Sequence, residues 1–182
     1  PKEFFPNVSE DEWNRIYDVN SKGTYFMCKY MIPLLKKSRQ SPAIVNISSD
    51  AGINGNYFCS LYCASKGAVT VFTKALALEL AAAGIRVNCV CPGDIDTPLT
   101  QTQFAGNEQI EKETAALYPL GRIGTAQEAA SVIYFLSTSA GIWAVLIIAF
   151  FVIRFILRLF LSVLYSLLMA AIFIALLLTL LI

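Results

Sequence analysis

The stretch Ala43–Gly93, AIVNISSDAGINGNYFCSLYCASKGAVTVFTKALALELAAAGIRVNCVCPG, decides the fold. It opens with AIVNISS (Ala43–Ser49), a short β-branched run that reads as a buried strand. A helix rich in Ala and Leu is predicted over about Ser60–Ala83, with Gly84 where a C-terminal cap belongs. IRVNCVCPG (Ile85–Gly93) reads as a second strand, stopped by Pro92. Strand, helix and strand within about fifty residues form a βαβ unit, so parallel strands and a right-handed crossover are expected.

Outward from this unit, SEDE at Ser9–Glu12 has the form of a capping box, and Trp13, Ile16 and Tyr17 follow at helical spacing. The apolar pattern resumes after Gly23 and runs to Leu35, with Gly23 and Pro33 arguing against one straight helix. Asp94–Gly124 reads as irregular, with one short helix near Asn107–Leu117. TAQE (Thr125–Glu128) is a second capping box, opening a helix to about Ser137.

The composition divides the chain of 182 residues in two. Residues 1–141 carry 12 Lys+Arg against 13 Asp+Glu, an ordinary soluble balance with no basic patch for nucleic acid. In residues 142–182 the only charges are Arg154 and Arg158. There is no histidine, which excludes Ser-His-Asp and Cys-His catalysis and argues against a zinc site or any other metal site. The five cysteines form no C-x-x-C and read as reduced, mostly buried thiols of a cytosolic domain. Pro1 rather than Met opens the chain, so it is expected to begin inside a longer gene product.

Ligands of open parallel sheets bind beyond the carboxyl ends of the strands. SSDAGINGNYF and PGDIDTPLT emerge there, and a site is expected between them. Tyr62 and Lys66 are four residues apart on one helix face. A fixed ammonium favours tyrosinate and lowers the phenol pKa from about 10, which suits a group that gives a proton to a carbonyl or takes one from an alcohol. By spacing alone the pair reads equally as a half-buried ring beside a solvated charge. Ser49 ends the first strand and could hydrogen-bond the same substrate oxygen or simply cap a loop, a role Ser48 also fits. Pro92–Gly93 is either an ordinary turn or a close backbone approach to a ligand, with the Thr97 hydroxyl just beyond.

Together these segments resemble the short-chain dehydrogenase/reductase family. The resemblance rests on Y-x-x-x-K at Tyr62–Lys66, the NISS strand end with Ser49, and DVN..GT at Asp18–Thr24. IRVNCVCPGDIDTP (Ile85–Pro98) and GRIGTAQEAA (Gly121–Ala130) continue it in order, over about residues 1–140. It implies a partial Rossmann-like, doubly wound parallel sheet in a three-layer α/β/α sandwich at 1–141; residues 142–182, by their length and lack of turn residues, read as a hydrophobic helical tail. It implies NAD or NADP as cofactor and a small-molecule alcohol or ketone as substrate. Tyr62 would be the acid/base. Lys66 would lower its pKa and bind the nicotinamide ribose, Ser49 would orient the substrate oxygen, and Asn20 would hold a relay water. Pro92, Gly93, the Ile95 backbone and Thr97 would complete the cofactor contacts, with Tyr62 and Lys66 among them. Asp94–Tyr118 would be a substrate lid, whose Leu99, Phe104, Leu117 and Tyr118 would line a pocket with Tyr57 and Phe58 or merely anchor the lid. A complete domain would be a homo-oligomer through the helices that hold Asn20 and Tyr62.

Two departures bear on activity. The glycine-rich T-G-x-x-x-G-x-G turn of the family does not occur in the sequence, so this chain by itself is expected to be inactive. The alternative reading is a non-catalytic, membrane-attached remnant or fusion. Residues 142–182 also replace the family's last strand. As one helix they would be about 62 Å long, against about 30 Å of bilayer hydrocarbon. Leu159–Ile182, 24 uncharged residues, is therefore expected to span once. Arg154 and Arg158 would then sit at the cytoplasmic interface, with Trp143 at headgroup level and the 1–141 part cytoplasmic. Ile142–Ile153 would lie in the interface, re-enter, or pack on the soluble part. A hairpin of two short spans is the runner-up, and a purely cytoplasmic protein follows if the tail is an artefact.

Overall fold

The computed structural model describes residues 5–138 and 147–165, in two separate units. In the first, α1 (Glu10–Tyr17) starts at Ser9, whose hydroxyl accepts the Glu12 N–H at 3.2 Å. The Glu12 carboxylate lies 4.0 Å from Arg15, its neighbour one turn on. Gly23 does not break the run. The chain widens into one π turn at Asp18–Lys22, where the Gly23 N–H reaches back five residues to the Asp18 carbonyl. It then continues as α2 (Gly23–Leu35), with Pro33 in the last turn. A π turn inserts one extra residue per turn and is common at functional sites. Asn20 sits inside this one.

β1 (Ala43–Ile47) and β2 (Arg86–Val90) pair in parallel, Ala43 opposite Arg86 and Ile47 opposite Val90. Both are shorter than the sequence suggests, but their link continues into the loops. The Ser48 N–H donates to the Val90 carbonyl at 2.8 Å, and the Asp50 N–H to the Pro92 carbonyl at 2.9 Å. Between the strands runs α3 (Ser60–Leu80), which tightens at Ala81–Ala83 and stops at Gly84, whose φ of +66° is the left-handed cap a glycine adopts without strain.

The core joins Cys28 of α2, Leu76 and Leu80 of α3, and Ile85, with Ile44, Phe72 and Val87 packed against them. Beside it lies a buried polar ladder between β1 and α3. Asn46 Nδ2 donates to Thr73 Oγ1 at 2.9 Å, and Ser48 Oγ donates to the Lys66 carbonyl at 2.8 Å while lying 2.8 Å from Thr70 Oγ1. Gly52 backs the same turn of α3. A Cβ there would stand 2.5 Å from Ser48 Oγ and 2.8 Å from the Lys66 carbonyl carbon.

After β2, the expected single helix is corrected to two. Thr97, followed by Pro98 at the first helical position, starts α4, defined as β3 (Ile95–Asp96) ends. α4 (Pro98–Phe104) ends at left-handed Ala105 and Gly106, and α5 (Glu108–Ala116) follows, capped by Asn107. β3 pairs in parallel with β4 (Gly124–Thr125). α6 (Ala126–Ser137) opens with the complete Thr125–Glu128 capping box and packs against β1 and β2, where Arg86 Nη1 holds the Leu136 carbonyl at 2.6 Å. The second unit contains α7 (Ile147–Tyr165), 19 exposed apolar-rich residues long enough and apolar enough to cross a membrane. The longer run Leu159–Ile182 extends beyond the described residues, as does Trp143.

Two outcomes follow from this packing. Gly52→Ala should cost about 1–3 kcal/mol, the usual penalty of overpacking, whereas Gly55→Ala, with nothing within 4 Å, should be near neutral; urea melts of the two variants compare them. Glu128 is pushed down to about 2 by the Arg122 guanidinium and by bonds from Thr125. Because its folded pKa lies below the unfolded value of about 4.3, the stabilisation is full above that value and is lost as pH falls through about 2. Glu128→Gln should therefore lower the urea midpoint at pH 7, and the gap to the parent should close in acid.

Candidate active site

The end of β1 and the first two turns of α3 bring Ser49, Tyr62 and Lys66 together. Ser49 is fully extended and caps the short turn Asp50–Gly52, its hydroxyl accepting the Ala51 N–H at 3.2 Å. The same hydroxyl donates to Asp50 Oδ1 at 3.0 Å and lies close enough to the Tyr62 phenol to favour its ionised form. Lys66 Nζ donates to the Ile47 carbonyl at 3.2 Å and stands 5.8 Å from the centre of the Tyr62 ring. Strand end, phenol and ammonium thus share the carboxyl end of β1.

The electrostatics differ from the sequence expectation. Burial pushes the Tyr62 phenol above the usual tyrosine value; the Ser49 contact opposes this, while Asp50 and the nearby Cys59 and Cys63 thiols add to it. Burial likewise pulls the Lys66 ammonium below its usual value, against the opposing influence of Cys89 and Cys91. The reason is geometric. Lys66 points its ammonium at the Ile47 carbonyl rather than at the phenol oxygen, so desolvation dominates both groups. Burial thus favours the neutral phenol at Tyr62.

Asn20 reaches the same turn from the π segment. Its Nδ2 donates to Ser65 Oγ at 3.0 Å, and Ser65 Oγ donates to the Tyr62 carbonyl at 2.8 Å. Ser21 Oγ meanwhile donates to the Ser65 carbonyl at 2.9 Å. The Asn20 side chain therefore ends one residue short of Lys66. Ser65, fully buried, was not singled out from the sequence. Its signal was a small hydroxyl on the inward face of an Ala-rich helix, the kind of residue that needs a polar partner when buried.

Pro92 joins this centre through its carbonyl, which accepts the Asp50 N–H. Gly93 does make a close approach, but to protein. A Cβ at 93 would lie 2.7 Å from the Tyr118 hydroxyl. That hydroxyl accepts the Asp94 N–H at 2.7 Å and donates to Asp94 Oδ2 at 2.9 Å. Tyr118 and buried Phe104 are therefore anchors of the Asp94–Tyr118 segment, while Leu99 and Leu117 stay exposed. Thr97 spends its hydroxyl on the α4 cap, accepting the Thr100 N–H at 3.5 Å, and the Ile95 carbonyl accepts Thr100 Oγ1 at 2.6 Å. The Tyr57 and Phe58 rings lie against each other at a tilt of 53°, their centres 4.1 Å apart, with Tyr57 exposed. A cavity of about 450 Å³ lies elsewhere, lined by Tyr17, Tyr25, Phe26, Val69 and Phe72 among others, and excludes the Ser49–Tyr62–Lys66 centre.

Residues 1–143 match the family described as enoyl-(acyl carrier protein) reductase. Among similar proteins, the 3-oxoacyl-[acyl-carrier-protein] reductase FabG of Thermotoga maritima is 40% identical over 131 residues, covering 72% of this chain and 52% of that protein. The L-fucose dehydrogenase of Mus musculus is 39% identical over 143 residues, 77% of this chain and 52% of that protein. Of solved structures, ElxO with NADP bound superposes with a TM-score of 0.69 at 34% identity, covering 75% of this chain and 54% of that one. The ligand-free aldohexose dehydrogenase of Thermoplasma acidophilum gives 0.69 at 38% identity, covering 76% and 56%. The chain spans about half the length of the curated relatives it matches. With its parallel strands, crossover helix and matched residues 1–143, the chain belongs to the short-chain dehydrogenase/reductase family and has its Rossmann-like α/β fold.

Proposed function

We propose that residues 1–141 are the catalytic part of an NAD(P)-dependent oxidoreductase that interconverts a small-molecule carbonyl and its alcohol, with Tyr62 as acid/base. The observation that carries this is the convergence of Ser49, the Tyr62 phenol and an ammonium fixed on the Ile47 carbonyl at the end of β1. The relatives point the same way: their names describe a 3-oxoacyl reductase and an L-fucose dehydrogenase, and ElxO was solved with NADP. The residues fit the nicotinamide-ribose end of such a cofactor. Lys66 and Tyr62 offer an ammonium and a phenol side by side where parallel strands end, and Pro92, Gly93, Ile95 and Thr97 open the next segment.

When bound, the cofactor supplies or accepts the hydride. The Tyr62 phenol gives its proton to the carbonyl oxygen during reduction and recovers it from the alcohol during oxidation. Ser49 hydrogen-bonds the same oxygen and sets its distance from the phenol. Asn20 holds the Tyr62–Lys66 turn in place through Ser65 and orders a water that reconnects Lys66 with solvent. A second copy of the chain covers the aromatic face of α2 and α3 around Tyr25, Phe26 and Phe72.

In the natural polypeptide carrying these residues, Tyr62→Phe should cut turnover by about 10²–10⁴-fold, the usual contribution of a positioned acid–base group, and leave the melting curve unchanged. Near-normal turnover would overturn the assignment. Lys66→Ala should lower both turnover and cofactor affinity. Residues 1–182 alone carry no glycine turn for the pyrophosphate. Calorimetry on them should show no saturable NADPH binding in the micromolar range, and such binding would mean that another segment supplies the phosphate site.

The tail attaches the protein to a membrane. α7 is about 28 Å long at 1.5 Å per residue, and Arg154 and Arg158 stand near its middle. Centring α7 in the bilayer would bury both at roughly 2.5–3.5 kcal/mol each. Placing the span at Leu159–Ile182 puts them at the cytoplasmic interface instead, with the 1–141 part on the same side. A non-catalytic, membrane-attached protein is the second reading, favoured by the exposed apolar length of α7. On alkaline carbonate extraction the intact chain should stay with the membrane pellet, and its release would refute the span.

A further inference from the structure

Four of the five cysteines lie within reach of the Tyr62–Lys66 pair, and two of them are close to each other. Cys91 Sγ lies 4.0 Å from Cys89 Sγ, with the Cys91 thiol donating. Alternate residues of a strand project to the same side. For Cys89 that is the side of α3, because its strand partner Asn46 bonds Thr73 of that helix. Both thiols lie near enough to the Lys66 ammonium to act on its charge, while burial holds the Cys89 thiol above its usual pKa. Cys91 stands just past the end of β2, between the Val90 and Pro92 carbonyls that accept the Ser48 and Asp50 N–H groups.

We propose that Cys89 and Cys91 form a site of reversible oxidative modification, closing to a disulfide with hydrogen peroxide as oxidant. Two residues of extended chain place the Cα atoms about 6.6 Å apart, near the upper limit of about 6.8 Å for a disulfide. Closure is therefore possible but pulls the chain, and a strained bond of this kind is easily reduced again. In the first step one thiolate attacks peroxide, giving a sulfenic acid and hydroxide, which leaves as water with the thiol's proton. In the second step the other thiol attacks the sulfenic sulfur, forming the S–S bond and releasing a second water. Two thiols are oxidised and one peroxide is reduced, so the step balances.

The consequence lies in the next residue. The Pro92 carbonyl accepts the Asp50 N–H at 2.9 Å, the bond that ties the Ser49–Asp50 turn to the end of β2. Drawing Cys91 toward Cys89 displaces Pro92 and loosens that bond, and with it Ser49. The effect on turnover rests on the proposed role of Ser49; the modification itself does not.

The test uses the natural polypeptide, treated with peroxide while folded. Tryptic cleavage yields Val87–Lys112, which holds Cys89 and Cys91 and no other cysteine, while Cys59 and Cys63 fall in Gln40–Lys66. Val87–Lys112 should lose the mass of two hydrogens, regain it with dithiothreitol, and show no such loss in Cys91→Ser. Amide exchange at Asp50 should speed up on oxidation, return on reduction, and stay unchanged in peroxide-treated Cys91→Ser. Oxygen addition without the internal link, or a link in Gln40–Lys66 instead, would overturn the assignment. A link at 89–91 with Asp50 exchange unchanged would overturn its coupling to the site.

Discussion

The site depends on the hydrogen bond from the Ser48 hydroxyl to the Lys66 carbonyl. α3 is 21 residues long and apolar over much of its surface, and apolar burial is non-directional. Such a helix could roll against the sheet at little cost in buried area. Ser48 prevents it, together with Asn46 on Thr73 two turns further along. Each bond contributes on the order of 0.5–1.5 kcal/mol net, but leaving either buried group unpaired would cost about 1–3 kcal/mol. The ladder therefore defines the roll of α3 more than its stability. Gly52 lets the Asp50–Gly52 turn press against the same turn of the helix, and Asn20 and Ser21 clamp it from the other side through Ser65. With the Lys66 turn held from both sides, Tyr62, one turn earlier, has no choice but to meet Ser49.

Much of this is legible in the sequence because its signals are local. The strand, helix and strand of Ala43–Gly93, the Gly84 cap and the Thr125–Glu128 box all appear, the two strands shorter than read. The Tyr62–Lys66 spacing shows that both residues share a helix face, and the family resemblance adds Ser49. What was missed has physical reasons. α4 has a Thr97 cap and Pro98 at its first position, but only seven residues, too few for periodicity to show. The π turn at Asp18–Lys22 depends on how Asn20 and Ser21 grip α3, a tertiary cause without a local pattern. The direction of the Tyr62 shift also escaped, because spacing gives proximity to Lys66 but not where its ammonium points. The thiols, read as mostly buried, are buried only at Cys28 and half-buried at the other four positions.

The two units are built for different surroundings. Within 5–138, charges lie on exposed faces and pair locally, as Lys22 with Asp18 and Arg122 with Glu128. In α7 the apolar side chains are exposed all round, and the two arginines, four residues apart, fall on one face. The catalytic reading and the membrane reading are thus carried by separate stretches of chain, and neither depends on the other.

The most direct measurement is a structure of the natural polypeptide with a nicotinamide cofactor and a ketone substrate bound. The account predicts one substrate oxygen within about 2.6–3.2 Å of both the Tyr62 phenol oxygen and Ser49 Oγ, with Lys66 on the cofactor ribose and the Ser48 bond to the Lys66 carbonyl intact. A substrate oxygen bound away from Tyr62, with Ser49 still engaged only by Asp50 and Ala51, would contradict it.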